Sequence, residues 1–253
     1  MTNLAGRVAL VTGAGGGIGR ATALVLGALG MDVAVHYFRN AEGANGAVAK
    51  LKEIGRAAEA FEADLTQGDQ ARRMVRSVEE RFGKIDVLVN NAGDLIERRP
   101  LLEMSEELWR KMLDLNLSSA FFCTQAVAAG MIARHGGAIV NVSSLAAHNG
   151  GGPGAFAYAA AKGALISFTK AIAKELAPSG IRVNAVAPAL IGATHFHERY
   201  TPAQAFENVV KTIPLGRAGT PEDVARVIAF LASDESAYLA GETIDITGGL
   251  YMR

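Results

Sequence analysis

The sequence holds a single cysteine, Cys123, so no disulfide can close within the chain, and the covalent stapling typical of small secreted domains is excluded. Cys123 lies in the apolar run Ala120-Phe121-Phe122-Cys123, where a thiol is expected to be buried and inert rather than nucleophilic. Charge of one sign is lacking as well. The 25 lysines and arginines balance the 25 aspartates and glutamates, and no basic block stands out, which removes the electrostatic footprint of a nucleic-acid or anionic-membrane binder. No apolar run approaches the roughly 20 residues of a membrane span. The start, Met1 to Gly6, lacks the basic, then apolar, then small-residue order of a signal peptide, so a cytoplasmic setting is expected. There is no Pro/Gly/Ser linker, no repeat of fixed period and no low-complexity segment.

What remains is 253 residues, half of them apolar, enough for one large core and a single domain over 1–253. Short β-branched runs recur at Val8 to Val11, Val33 to Tyr37, Ile85 to Val89, Ile139 to Val142, Ile181 to Val186 and Thr243 to Ile246, each reading as a buried strand. Between them, helical spacing covers Ile18 to Leu29, Ala41 to Ile54, Gln67 to Phe82, Ser105 to Arg134, Ala155 to Leu176 and Pro221 to Leu231. Gly30, Gly55 and Gly83 stop three of these helices, Pro178 closes another, and Thr220-Pro221-Glu222-Asp223 opens the last with a cap, a first-turn proline and early acids. Apolar strands alternating with helical crossovers demand a doubly wound parallel sheet, a three-layer α/β/α Rossmann fold whose ligands bind at the carboxyl ends of the strands. Asn149-Gly150-Gly151-Gly152-Pro153-Gly154 reads as a site loop. The segment from Ala189 to about Thr201 reads as irregular and as a lid, part of a substrate-loop insertion near 189–214.

Directly after the first strand comes Thr12-Gly13-Ala14-Gly15-Gly16-Gly17-Ile18-Gly19, leading into an apolar helix. Strand, glycine turn and helix N-terminus together form a cradle for a pyrophosphate, because free N–H groups and the helix dipole meet its charge. At the end of the second strand, His36-Tyr37-Phe38-Arg39-Asn40 offers no carboxylate for a ribose 2′-hydroxyl. Arg39 instead suits a 2′-phosphate, with Tyr37 and Asn40 completing the pocket, so NADP(H) is expected in preference to NAD(H). The competing reading of Arg39 is a solvated loop side chain.

Tyr158 and Lys162 stand four apart inside a helical segment and therefore share one face. An ammonium beside a phenol lowers its pKa from near 10 and lets it exchange a proton with a carbonyl oxygen. Such a pair is common on helices and says little alone; its neighbours give it weight. The strand Ala138 to Val142 ends in Ser143-Ser144, where a hydroxyl can bind a substrate oxygen.

The glycine turn at 12–19, Asn90-Asn91-Ala92-Gly93, the serine strand and Tyr158-x-x-x-Lys162, in that order over essentially the whole chain, resemble the short-chain dehydrogenase/reductase family. The stretches Gly216 to Asp223, Phe230 to Glu235 and Gly248 to Met252 are similar to its 3-oxoacyl-carrier-protein reductase branch. The resemblance implies Tyr158 as general acid, Lys162 tuning it and binding the nicotinamide ribose, Ser144 orienting the carbonyl, and Asn116 holding a water in the proton relay. The other reading of Asn116 is a polar side chain satisfying a helix distortion. It further implies Asp64 and Leu65 at the adenine, Asn91, Ala92 and Gly93 on the adenosine side, Pro188, Ile191 and Thr194 in a segment over the nicotinamide amide, and a homotetramer. Ser144 lies fourteen residues before Tyr158, one more than in many relatives, which keeps Ser143 open as its substitute. Ala189 stands where the family usually has glycine, and Thr194 falls one position late. His195 and His197 lack a third ligand by spacing, so no metal is expected.

The expected substrate is a carbonyl compound, small or carried by a protein. Arg134 is the candidate cation for carrier docking, while Pro178-Ser179-Gly180 is neutral. Alternatives are a dehydrogenase of a diffusible alcohol, sugar, steroid or pterin, whose pocket Leu95, Ile96, His148 and Phe196 would border, and a non-catalytic NADP sensor.

Overall fold

A computed structural model describes residues 4–252, apart from the side chains of His195, His197 and Glu198. Among these residues seven strands form one parallel sheet: β1 (Val8–Val11), β2 (Asp32–Tyr37), β3 (Ala58–Glu62), β4 (Val87–Asn90), β5 (Gly137–Val142), β6 (Ile181–Pro188) and β7 (Thr243–Ile246), ordered β3-β2-β1-β4-β5-β6-β7. The order reverses between β1 and β4, so the crevice for a ligand opens there, beyond the carboxyl ends of the strands.

Period-two alternation divides the core into two layers. Ala9 and Val11 face α1 (Gly17–Ala28), α2 (Ala41–Glu53) and α10 (Pro221–Ala232), burying Leu26, Leu51 and Ile228. Leu10 and Leu88 point the other way, into Met74, Val127 and Leu176 from α3 (Gly68–Phe82), α5 (Ser119–Ala133) and α7 (Phe156–Leu176). Thr220 and Asp223 exchange the two hydrogen bonds of a capping box at the start of α10, as its sequence anticipates.

The period-based reading missed β3, whose Ala58-Glu59-Ala60-Phe61-Glu62 lacks β-branched residues; it pairs on one side only, with β2, and so tolerates glutamates. The segment expected to be irregular from Ala189 to about Thr201 contains α8 (His195–Tyr200), and α9 (Ala203–Val210) follows it. Both are shorter than the window over which helical periodicity is legible.

The helix expected over Ser105 to Arg134 is α4 (Glu106–Leu113) joined to α5 through a π-helical turn at Asp114–Ser118. Glu106–Ala133 is long and apolar enough to cross a membrane by length and composition alone. It packs instead along α3 and α7, inside the layer that holds Cys123 and Val127.

Candidate active site

β5 ends at Val142, and α7 crosses beside the two serines that follow. Ser143 is buried, and its hydroxyl donates to the Lys162 carbonyl at 2.8 Å. Ser144 is the serine that hydrogen-bonds Tyr158, and its Oγ also accepts from the Ala146 N–H at 3.2 Å. The two serines are thereby separated in role: one anchors the helix, the other faces the phenol.

Tyr158 is 9% exposed, in an apolar cluster with Leu95, Ala155 and Ala157. Burial pushes its hydroxyl up to about 12, countered by the Ser144 hydrogen bond and reinforced by the charge of Asp94. The expected lowering by Lys162 is not what the structure shows. Lys162 donates from Nζ to the Val142 carbonyl at 2.8 Å and meets Tyr158 through its ring, 5.7 Å from the centroid, while its own burial brings it down to about 8. Desolvation is the largest influence on both groups.

Asn116 occupies the π turn between α4 and α5. Its Nδ2 donates to the Met112 carbonyl at 3.0 Å and to the Asp94 carbonyl at 2.8 Å, and its Oδ1 accepts from the Asp94 N–H at 3.1 Å. It therefore satisfies a helix distortion, and it does so beside Lys162. A methyl group at Gly93 would stand 2.6 Å from Asn116 Oδ1 and 2.9 Å from Lys162 Nζ, so only glycine lets the chain pass between them.

At the glycine turn, α1 begins at Gly17 with no side-chain cap on its Gly16 N-cap and no acid in its first turn, whereas Asn40 caps α2 and Thr220 caps α10. The open N–H groups of Gly17, Ile18 and Gly19 at a positive helix end fit a pyrophosphate. Gly19 is forced by packing, since a Cβ there would lie 2.4 Å from the Gly13 carbonyl oxygen. Thr12 and Asn91 are joined to each other: Thr12 Oγ1 donates to Val89 and accepts from the N–H groups of Asn91 and Ala92, and Asn91 Nδ2 returns to the carbonyls of Thr12 and Gly13. They hold the turn in place across β1 and β4.

The end of β2 departs from expectation. Asn40 spends both ends of its amide on protein, accepting from Gly43 N–H at 2.9 Å and donating to the Gly15 carbonyl at 2.8 Å. A carboxylate is present after all, from β3: Tyr37 donates its hydroxyl to Glu62 at 3.3 Å. Arg39 is exposed, its guanidinium 5.3 Å above the Phe38 ring. His36, which the sequence reading passed over, is buried with Nδ1 accepting from Gly13 N–H and Nε2 donating to the Ala63 carbonyl, both at 3.0 Å. Burial takes it down to about 4, so it is neutral. A buried histidine between two strand-end loops leaves no periodic signature.

Asp64 Oδ1 caps its own turn by accepting from Thr66 N–H and Oγ1, and Leu65 is buried. Across the crevice, the Pro188 carbonyl accepts from Leu145, Ile191 is buried against Gly219, and Thr194 donates to the Ile191 carbonyl at 2.9 Å. The Thr194 methyl faces Gly17, which brings this segment to the phosphate turn. From α8, Phe196 lies on Tyr158 with ring centroids 5.6 Å apart, and Tyr200 donates its hydroxyl to Asp94 Oδ2 at 2.9 Å. His148 pairs with Asp245 at 3.0 Å and stacks on Tyr251. Arg134 donates to the Ile85 carbonyl at 2.7 Å, just before β4, the central strand, and so at the amino-terminal end of the sheet, opposite the strand ends that carry Ser144. The side chains of His195 and His197 lie outside the described residues, and among the described residues no three metal-ligating groups converge.

The family described as enoyl-(acyl carrier protein) reductase matches residues 13–251. A 3-oxoacyl-[acyl-carrier-protein] reductase of Synechocystis sp. is 44% identical over 253 residues, covering 100% of both chains. One from Thermotoga maritima is 44% identical over 248 residues, 98% of each chain. Among solved structures, a 7α-hydroxysteroid dehydrogenase complexed with NADH and 7-oxo glycochenodeoxycholic acid superposes with a TM-score of 0.93 at 31% identity, covering 98% of this chain and 95% of that one.

Proposed function

The chain belongs to the short-chain dehydrogenase/reductase family, and from that premise we propose that it reduces the ketone of a 3-oxoacyl thioester with NADPH. As a member it is an NAD(P)-dependent oxidoreductase interconverting carbonyl and alcohol. One observation carries the reading further: the hydroxyl of Ser144 hydrogen-bonds that of Tyr158, which is buried in an apolar cluster with the Lys162 ammonium 5.7 Å from its ring centre.

The glycine turn, Gly13 with Gly15 to Gly19, would hold the pyrophosphate, Arg39 the 2′-phosphate, Asp64 and Leu65 the adenine, Asn91 to Gly93 the adenosine side, and Pro188, Ile191 and Thr194 the amide of the nicotinamide. Bound there, the cofactor supplies the hydride. Ser144 and Tyr158 donate hydrogen bonds to the ketone oxygen and polarise it. Tyr158, protonated because burial holds its value high, gives its proton to the developing alkoxide. Lys162 stabilises the phenolate left behind and binds the ribose, and Asn116 holds the water that returns the proton.

The whole chain, 1–253, acts as one catalytic domain with 189–214 as its substrate loop. A cytoplasmic homotetramer is the assembly that the family resemblance supports, and the exposed Phe121, Ile132, Tyr238 and Met252 are apolar side chains that association would cover.

The test follows NADPH absorbance with an acetoacetyl thioester and simple ketones. Tyr158→Phe is expected to lose about a thousandfold in turnover. Absence of thioester reduction, or undiminished turnover in the variant, overturns the reading. A diffusible ketone is the second reading, favoured by Arg134 lying at the amino-terminal end of the sheet, away from Ser144 and Tyr158. Equal KM for the acetoacetyl group on a carrier protein and on a small thiol decides for it.

A further inference from the structure

Asp94 follows Gly93 directly, and one side chain grips its backbone from both sides: Asn116 accepts from its N–H at 3.1 Å and donates to its carbonyl at 2.8 Å. The carboxylate serves another element. Its Oδ1 accepts from Leu95 N–H at 2.9 Å, and its Oδ2 accepts from the hydroxyl of Tyr200 at 2.9 Å, which also lies 3.1 Å from the Ile96 carbonyl. Tyr200 is the last residue of α8, the helix that lays Phe196 over Tyr158, and the rings of Phe196 and Tyr200 meet edge-on at 5.3 Å. Arg98 braces the same corner by donating to the carbonyls of Tyr200 and Pro153.

The backbone at this corner is strained. Ile96 sits at φ 58°, in the left-handed region that a β-branched side chain avoids, and Glu97 N–H closes a three-residue turn on the Leu95 carbonyl at 2.6 Å. Such a conformation persists only where its surroundings hold it. Here the holding contacts come from Tyr200 above and Asn116 below.

We propose that Asp94 is a positioning residue for carbonyl reduction: it ties α8, through Tyr200, to the backbone that Asn116 clamps beside Lys162, so that one residue sets both the cover over Tyr158 and the register of the groups beneath it. The inference rests on reading Tyr158 and Ser144 as the carbonyl-binding pair. With α8 tied down, the Phe196 ring excludes water from the phenol, and the developing alkoxide meets Ser144 and Tyr158 without solvent competition. Burial and the contact with Asp94 keep the Tyr200 hydroxyl protonated, near 12, so the tie persists across the neutral range.

Tyr200→Phe keeps the ring against Phe196 and removes the donor; Asp94→Ala removes both acceptor oxygens; Asp94→Asn leaves one acceptor for the two donors, Leu95 N–H and the Tyr200 hydroxyl. Two readouts apply: steady-state reduction of an acetoacetyl thioester with NADPH, and trypsin cleavage after the exposed Arg199 in the absence of thioester. Tyr200→Phe and Asp94→Ala are each expected to lower kcat about tenfold, the loss of one hydrogen bond to a charged group, and to change KM by no more than about twofold. Both should speed cleavage after Arg199. The double variant should be no worse than the poorer single one, and Asp94→Asn should fall between Asp94→Ala and the wild type. An unchanged kcat and unchanged proteolysis in Tyr200→Phe, or additive losses in the double variant, each overturn the proposal. A wild-type enzyme that reduces no ketone, yet shows the expected proteolysis pattern, refutes the functional reading and supports the tie.

Discussion

The ammonium of Lys162 donates to the carbonyl of Val142 at 2.8 Å and reaches Tyr158 only through its ring. A buried cation with one carbonyl partner is destabilising, which its lowered value of about 8 against an ordinary 10.5 expresses. Between those values the unfolded chain holds a proton that the folded one has released, so stability rises with pH across that window. Below it the cost is fully present, roughly 3 kcal/mol for a shift of this size. Lys162→Met should therefore melt higher than the wild type near neutral pH without cofactor, should lose the alkaline rise, and should be nearly inactive. Thermal denaturation on both sides of pH 8 checks this; a variant that melts lower at neutral pH refutes it.

With Tyr158 as the proposed proton donor, the same two groups would set the pH profile of reduction. Tyr158 near 12 stays protonated wherever the protein is folded, so it imposes no alkaline loss around its ordinary 10. Lys162, near 8, must keep its charge to stabilise the phenolate. The kcat/KM for ketone reduction is expected to fall above about pH 8, and Lys162→Arg, whose guanidinium does not deprotonate in this range, should push that limb beyond pH 10 or remove it. A limb near 10 in the wild type would assign it to the phenol and contradict the burial argument.

How much of this was legible beforehand depended on the range of each interaction. The sheet, the six longer helices and the Tyr158 to Lys162 spacing are written in local periodicity, and the structure keeps them. β3 and α8 are too short or too polar to carry a period. The divided roles of Ser143 and Ser144 depend on how α7 crosses β5, a packing relation with no local trace. The expected direction for Tyr158 failed for a similar reason: spacing shows that a cation is near but not how much water has been removed. The Asn40 side chain caps α2 and holds Gly15, duties visible only once both loops are in place.

Those duties make Arg39 the residue to test for cofactor choice. It stands exposed on Phe38, free of ion pairs among the described residues, at the strand end where a ribose would lie. Arg39→Ala should raise KM for NADPH by about tenfold to a hundredfold, the range of a charge-assisted contact, with little change for NADH. Asn40→Ala should act differently, lowering stability by about 1 kcal/mol through the lost cap and weakening both cofactors alike. Paired kinetics with the two cofactors separate the effects; an equal loss in Arg39→Ala would place the 2′-phosphate elsewhere or remove it from the reading.

His36 gives the acid side of stability. It is neutral and buried, with Nδ1 receiving the Gly13 N–H and Nε2 donating to Ala63. Burial removes the water that a charged ring would need, against the opposing hydrogen bond to Ala63, and its value falls from 6.5 to about 4; the second proton would have to enter at Nδ1, where the Gly13 N–H already donates. Between those values the unfolded chain takes up a proton that the folded one refuses, so stability is full above about 6.5 and is lost as pH falls toward 4, by roughly 3 kcal/mol over the window. His36→Gln lacks the titration. Its melting temperature should start lower near neutral pH because the paired geometry is imperfect, and should then fall less steeply on acidification, so that the two curves converge by about pH 4. Parallel curves would show that the acid lability comes from the carboxylates and that the histidine bridge between the phosphate turn and β3 is pH-silent.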